Sequence, residues 1–150
     1  MKQKLDTFCN LCKEKGLKLT PQRIAIYKAL LGSKEHPSAE AVYEEIHKTL
    51  PNVSFDTVNR TLNTLTDIGA AFIVEGTGDV RRFDADCTSH QHYKCVKCKK
   101  IFDFSLETFE NIKVPETITG EFKVLRATVY IEGLCKSCQE IKKDKRSDTM

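Results

Sequence analysis

The sequence contains no apolar run near the roughly 18 residues that a membrane-spanning helix needs. Its opening, MKQKLDTFCNLCKEKG, is basic but has no apolar stretch of the kind a secretory signal carries. The expectation is a cytoplasmic protein with no membrane partner. A strong charge imbalance is also missing. Up to Phe83 there are 12 basic and 10 acidic residues, and after it 12 and 11, giving a net charge of +3. Charge alone therefore does not announce a nucleic-acid binder, although lysines grouped on one face can still meet phosphate. There is no internal repeat and no low-complexity segment. Nor is the cysteine count even. Seven cysteines in a cytoplasmic chain read better as metal ligands or free thiols than as disulfides.

What is there fits a soluble, folded chain, with 40% hydrophobic and 30% charged residues. A length of 150 residues allows one ordinary domain or two small ones. Two domains of about 75 residues each have thin cores and lean on a metal, a partner subunit or both.

Leu5, Phe8, Cys9, Leu11 and Cys12 fall at helical spacing and stop at Gly16. Thr20-Pro21 starts a second helix, with Thr as cap and Pro in the first turn, carried by Ile24, Tyr27 and Leu30 to Gly32. His36-Pro37-Ser38 is a break. Ser38 caps a third helix with Val42, Tyr43 and Ile46 on one stripe, ended by Pro51-Asn52. Ser54 caps a fourth with Val58, Leu62, Leu65 and Ile68 inward, ended by Gly69. Residues 71–75 and 79–83 then read as two strands of a hairpin around Gly76-Thr77-Gly78. Helices followed by a hairpin give a winged helix-turn-helix over residues 1–83, with the helix from Ser54 as recognition helix. Asp84 to Ser89 reads as a short linker. Strand-like runs at 92–96 and 100–104, a helix near 106–112 and a strand pair over 122–133 make a small α/β domain over 84–150. The fold class is α+β. Lys142 to Arg146 reads as a frayed, solvated tail.

Cys95-Val-Lys-Cys98 and Cys135-Lys-Ser-Cys138 are two CxxC knuckles, the spacing of a closed four-thiolate site for structural Zn²⁺. Lys97, Lys99, Lys100 and Lys136 are placed to offset its negative charge. Paired disulfides, a redox CxxC and cysteine-ligated iron are the competing readings. Cys9 and Cys12 sit on an apolar helical stripe and read as buried packing. Cys87, in the linker, is either a reactive thiol or an inert one.

His90-Gln-His92 places two imidazoles on one strand face, able to reach one metal, while Cys95 has the opposite parity. Exposed histidines on an edge strand are the plainer reading of that pair. His36 alone reads as a turn or cap residue, and His47 as exposed.

SKEHPSAEAVYEEI, SFDTVNRTLNTL, RRFD, HQHYKCVKCKKIFDF and YIEGLCKSC together resemble the ferric uptake regulator family in order and spacing, between Thr20 and Cys138. The resemblance implies a homodimeric winged-helix repressor of double-stranded DNA, with a structural four-cysteine zinc and a regulatory metal. Position by position it assigns that second metal to His36, Asp84, His90, His92 and Asp103. Three neutral imidazoles and two carboxylates suit Fe²⁺ or Mn²⁺. Aspartates at 84 and 103 are similar to the peroxide-responsive branch, where iron sensors tend to have glutamates. A further site found in iron sensors falls here on Ser89, Gln91, Glu107 and Ala127, of which only Glu107 ligates well, so that site is expected to be absent.

One stretch departs from the family pattern. Its recognition helix usually reads Thr-Val-Tyr-Arg, and here it reads Thr57-Val58-Asn59-Arg60. Thr57, Asn59, Arg60 and Asn63 are the expected DNA contacts, since Asn pairs well with adenine in the major groove. The operator is expected to be an A·T-rich inverted repeat, with Asn59 able to alter it. A non-enzymatic repressor is the reading, with peroxide oxidising His36 or His90 through bound Fe²⁺. An iron sensor without ligand oxidation is the first alternative, and a metalloenzyme using the five-residue site a distant second.

Overall fold

A computed structural model describes residues 1–74, 78 and 80–144. They form two compact units divided between Thr88 and Ser89, and mix helices with small sheets, which is the expected α+β class.

The first unit opens with α1 (Lys2–Glu14), α2 (Pro21–Gly32), α3 (Ala39–His47) and α4 (Phe55–Asp67). Three of these begin where a hydroxyl replaces a missing intrahelical acceptor. Thr20 accepts from the Arg23 N–H at 3.2 Å, Ser38 from Ala41 at 3.3 Å and Ser54 from Thr57 at 3.2 Å. Gly69 ends α4 at φ +77°, a left-handed angle that lets the Ala70 N–H return to Leu65 O at 2.8 Å. Phe8, Ile26, Leu30, Val42, Val58, Leu62 and Leu65 are fully buried in a single core. Each contributes about 1.5–3 kcal/mol of burial free energy. Cys12 is buried among them and Cys9 half-buried.

Two short strands close this unit, β1 (Phe72–Ile73) and β2 (Phe83–Asp84), antiparallel, with Phe72 opposite Asp84. The second strand therefore starts at the end of the expected 79–83 run and takes Asp84 in from the expected linker. Phe83 gives its N–H to Pro37 O at 3.0 Å, so the α2–α3 turn sets its position through a contact that the periodicity does not reveal. Of the expected hairpin turn only Gly78 is described, at φ +71°; Glu75, Gly76, Thr77 and Asp79 lie outside the described residues. The unit runs on through Thr88, where the sequence places its end at Phe83.

The second unit is built on a three-stranded sheet of order β4-β3-β5: β3 (Gln91–Cys95), β4 (Ile101–Phe104) and β5 (Tyr130–Gly133). β4 runs antiparallel to β3 and β5 parallel to it. A Cβ on Gly133 would meet the Tyr93 hydroxyl, so a larger residue here would require that side chain to shift. The expected helix near 106–112 shortens to α5 (Glu107–Glu110), and α6 (Glu116–Thr119) follows unannounced. The expected strand pair over 122–133 is one strand. Residues 121–127 are exposed and pair with no strand among the described residues, so no ladder holds them extended. α7 (Lys136–Asp144) takes in the start of the expected frayed tail, whose Lys145 and Arg146 are outside the described residues.

Candidate metal centres

Four sulfurs converge at the end of β3. Cys95 closes the strand, and the chain turns at once, with Cys95 N–H donating to Lys100 O at 2.9 Å and Lys99 N–H to Cys95 O at 2.9 Å. Lys99 reaches φ +63° in that turn, which swings Cys98 back towards the strand end. Gly133 O accepts from Val96 N–H at 2.9 Å, which brings Leu134 and Cys135 alongside. Cys138 follows one turn into α7. Cys95, Cys98, Cys135 and Cys138 each offer a sulfur, all within 4.8 Å of one another. Cys98 Sγ and Cys135 Sγ are 3.8 Å apart. A tetrahedral ion with bonds of about 2.3 Å to sulfur needs corners about 3.8 Å apart, so the set fits Zn²⁺.

The electrostatics ask for a cation. N–H groups of Cys135, first, and of Cys98 and Lys97 point at the Cys95 thiolate and hold its pKa down at about 6. The Cys135 N–H is 3.4 Å from that sulfur. Burial, with the hydrogen bonds that the Cys138 S–H gives to the other three sulfurs, pushes Cys138 up to about 12. One thiolate is thus stabilised by dipoles and the last is resisted by its neighbours. A divalent ion removes that conflict, because it favours all the deprotonated forms together.

A second kind of donor set, nitrogen and oxygen, occurs in each unit. In the first, His36 is buried and its Nε2 lies 3.1 Å from Asp84 Oδ2. The other oxygen of Asp84 accepts the Asp86 N–H at 2.7 Å, which fixes the carboxylate's direction. Arg82 donates to Glu35 O at 3.3 Å and His36 O at 3.2 Å. In the second unit, His90 Nε2 and His92 Nε2 are 3.1 Å apart. Asp103, opposite His92 on β4, brings Oδ1 to 3.5 Å from His92 Nε2 and 3.9 Å from His90 Nε2. Neighbouring donors on a six-coordinate ion with bonds of about 2.1 Å lie about 3 Å apart, so the donor chemistry and spacing within each set suit a small divalent cation.

Gln91 is otherwise engaged. It is buried, and its Oε1 accepts the Leu106 N–H at 3.1 Å. Among the described residues no cluster of potential ligands gathers around Ser89, Gln91, Glu107 and Ala127. Cys87 is exposed, its thiol 3.5 Å from Gly69 O.

On α4, the Thr57 hydroxyl is 2.9 Å from Ser54 Oγ, within the cap itself. Arg60 is exposed and pairs with Asp56 at 3.0 Å across one helical turn. Asn59 and Asn63 are half-buried, and Asn63 Oδ1 accepts a long 3.5 Å hydrogen bond from Arg81. Arg81 and Arg82 escape the sequence reading of the site. The doubled arginine of RRFD is the only signal that points to them.

The comparisons with known proteins agree with this geometry. The sequence model of the ferric uptake regulator family matches residues 14–132. The peroxide-responsive repressor PerR of Staphylococcus saprophyticus is 33% identical over 128 residues, covering 85% of this chain and 86% of its own. The ferric uptake regulator of Helicobacter pylori, solved with three functional metal-binding sites, superposes with a TM-score of 0.74 at 27% identity, covering 92% of this chain and 93% of that one. PerR from Streptococcus pyogenes, whose structure addresses peroxide sensing and gene regulation, gives 0.52 at 29% identity over 90% of this chain and 92% of its own. The chain belongs to the ferric uptake regulator family.

Proposed function

We propose that this chain is a cytoplasmic, homodimeric, metal-dependent repressor that binds double-stranded DNA and senses peroxide by oxidation of a ligand histidine. The observation that carries the reading is the pair of aspartate-bearing donor sets, His36 with Asp84, 3.1 Å apart, and His90 and His92 with Asp103, whose donors lie 3.1, 3.5 and 3.9 Å apart. Two donors and three donors are each too few for a six-coordinate Fe²⁺ or Mn²⁺. The family pattern assigns all five residues to one regulatory ion, which would leave one of six positions for peroxide. Cys95, Cys98, Cys135 and Cys138 form the closed structural zinc site, with no position for chemistry.

His36, Asp84, His90, His92 and Asp103 would hold Fe²⁺, which would supply the electron transfer for O–O cleavage; overall, peroxide would give one oxygen to a ring and leave as water. His36 and His90 are the rings assigned to receive it. Neutral imidazoles ligate well, and an oxidised ring ligates poorly, so the donor set loses its grip and the repressor leaves its operator. The ion favours the DNA-competent state only through its preference for that arrangement of ligands. In the dimer this sets the spacing of two α4 helices on an inverted repeat. Thr57, Asn59, Arg60 and Asn63 face the DNA, and Asn59, in place of the family's tyrosine, favours a base pattern offering adenine. Phe102, Phe122, Leu125, Tyr130 and Ile131 are exposed apolar side chains of the second unit and suit burial against a second copy.

Mass spectrometry of the Fe²⁺-loaded chain after low peroxide tests this reading. Wild type is expected to gain one oxygen on His36 or His90 and to leave its operator, while the Mn²⁺-loaded chain keeps both rings intact. Asp103→Glu, with the same charge on a stem one methylene longer, is expected to keep metal-dependent DNA binding but resist oxidation. Unmodified histidines on iron-loaded wild type that stays on DNA would replace the reading with an iron sensor that uses no ligand oxidation.

A further inference from the structure

We infer that Arg82 is a positioning residue for the regulatory metal, because its guanidinium clamps the turn that carries His36. The inference rests on the reading of His36 and Asp84 as ligands.

His36 has φ +50°, in the left-handed region that a side chain with a Cβ rarely enters. The next residue is Pro37, and the residue before a proline is pushed towards extended backbone. Two local preferences therefore oppose the conformation that the turn adopts. Such a residue stays there only when its surroundings over-determine it.

Those surroundings come from two consecutive residues of one segment. Arg82 Nη1 donates to Glu35 O at 3.3 Å and to His36 O at 3.2 Å. Phe83 N–H donates to Pro37 O at 3.0 Å. Three successive carbonyls are thus held, the first two by Arg82. Asp84, two residues beyond Arg82, brings its Oδ2 to 3.1 Å from His36 Nε2. The same segment therefore supplies the clamp and the second ligand. With the clamp in place, His36 does not have to leave a relaxed turn in order to ligate, and the cost of ordering it is met on folding.

Electrostatics alone predicts the opposite effect. Arg82 is a cation beside a cation site, and deleting it would relieve repulsion and tighten metal binding. Positioning predicts weaker binding. The sign of the change decides between them.

The experiment is calorimetric titration of Mn²⁺ into the full zinc-containing chain, comparing wild type with Arg82→Ala and Arg82→Lys. Arg82→Ala is expected to weaken Mn²⁺ binding by about 10–100-fold, the usual effect of losing a group that orients a ligand. Arg82→Lys, which keeps donors and charge, is expected to recover part of it. Lys28→Ala removes a positive charge from the cavity that Arg82 also lines and is expected not to weaken binding. In the metal-free chain, the three-bond HN–Hα coupling of His36 reports φ directly. It is expected to shift to extended values in Arg82→Ala and stay near wild type in Arg82→Lys. Unchanged or tighter Mn²⁺ binding by a folded Arg82→Ala overturns the inference. If that variant does not fold, Arg82→Lys and Arg82→Gln carry the comparison, and affinities equal to wild type in both overturn it. The ligand reading fails separately if His36→Ala takes up Mn²⁺ as tightly as wild type, and the role of Arg82 falls with it.

Discussion

Tyr27 is buried against the face of Phe8, with ring centres 4.0 Å apart, and Cys9, Cys12 and Cys87 all bear on its hydroxyl. Burial first, and then these thiols, push its phenol up to about 12. An unfolded tyrosine titrates near 10. A folded pKa raised in this way means that the folded chain resists deprotonation. Its stabilising contribution is complete below pH 10 and is lost as pH rises through about 12. Two pH units set an upper bound of about 3 kcal/mol. Tyr27→Phe cannot ionise, so its stability is expected to fall less steeply than that of wild type between pH 10 and 12. Urea melts of both proteins across that range measure the difference between the slopes, which cancels the lysines common to both. Parallel slopes would show that the phenol ionises as readily in the folded chain as in the unfolded one, and that its pKa is not raised. The same residues show what composition and period can convey. A cysteine on an apolar stripe reads as packing, and Cys12 is indeed buried. Cys87 and Tyr27 line one cavity although they lie far apart in the sequence, a proximity that no local pattern encodes.

At the level of elements, α4 is the part most open to test. Arg60 is exposed on it and joined to Asp56, an exposed pair of the kind worth only about 0.3–0.5 kcal/mol to a helix. Arg60→Ala is therefore expected to leave thermal stability nearly intact while costing about 1–3 kcal/mol of operator binding, or about one to two decades of affinity. A fluorescence anisotropy titration at fixed salt reads the loss, and undiminished affinity would remove α4 from the groove. The legibility of this helix has a local cause. Ser54, Ser38 and Thr20 cap their own first turns, so each helix start is written within four residues of itself. Both CxxC pairs are legible for the same reason, since each knuckle is one turn of chain. Elements that depend on distant partners are not. β2 lies where Pro37 accepts its N–H, and residues 122–129 pair with no strand among the described residues, which no local pattern of side chains foretells. α6 and α7 carry too few apolar residues for a period to show. The Arg82 clamp grips backbone oxygens, which every residue has, so no pattern of side chains around His36 could announce it.

For the whole molecule, the two units differ in what holds them. Every residue of the hydrophobic core cluster, from Phe8 to Ala85, belongs to the first unit. In the second, the buried apolar residues among those described are Cys95, Ile101 and Cys138, and two of these three are metal-site sulfurs. A fold of that size with so little apolar burial cannot offset its chain entropy from burial alone. On the proposed reading the remainder comes from the second copy and from the structural ion, whose binding free energy of order 10 kcal/mol is folding free energy for a site that does not exist in the unfolded chain. Cys138→Ser removes a ligand from the buried end of the set and is expected to lose about one zinc per subunit. Calorimetric unfolding should then separate into two events: an early, broad one from the second unit, and a later one near the wild-type temperature from the helical core of the first. Hydrogen exchange should agree, with amides of β3 to β5 losing protection while those of α2 and α4 keep it. Because exposed apolar side chains of the second unit are the proposed dimer surface, sedimentation should also show monomers. A strong chelator acting on wild type is expected to reproduce all three changes. Full zinc content and a single unchanged transition in Cys138→Ser would mean that the four sulfurs do not hold the second unit together, and that its stability has another source.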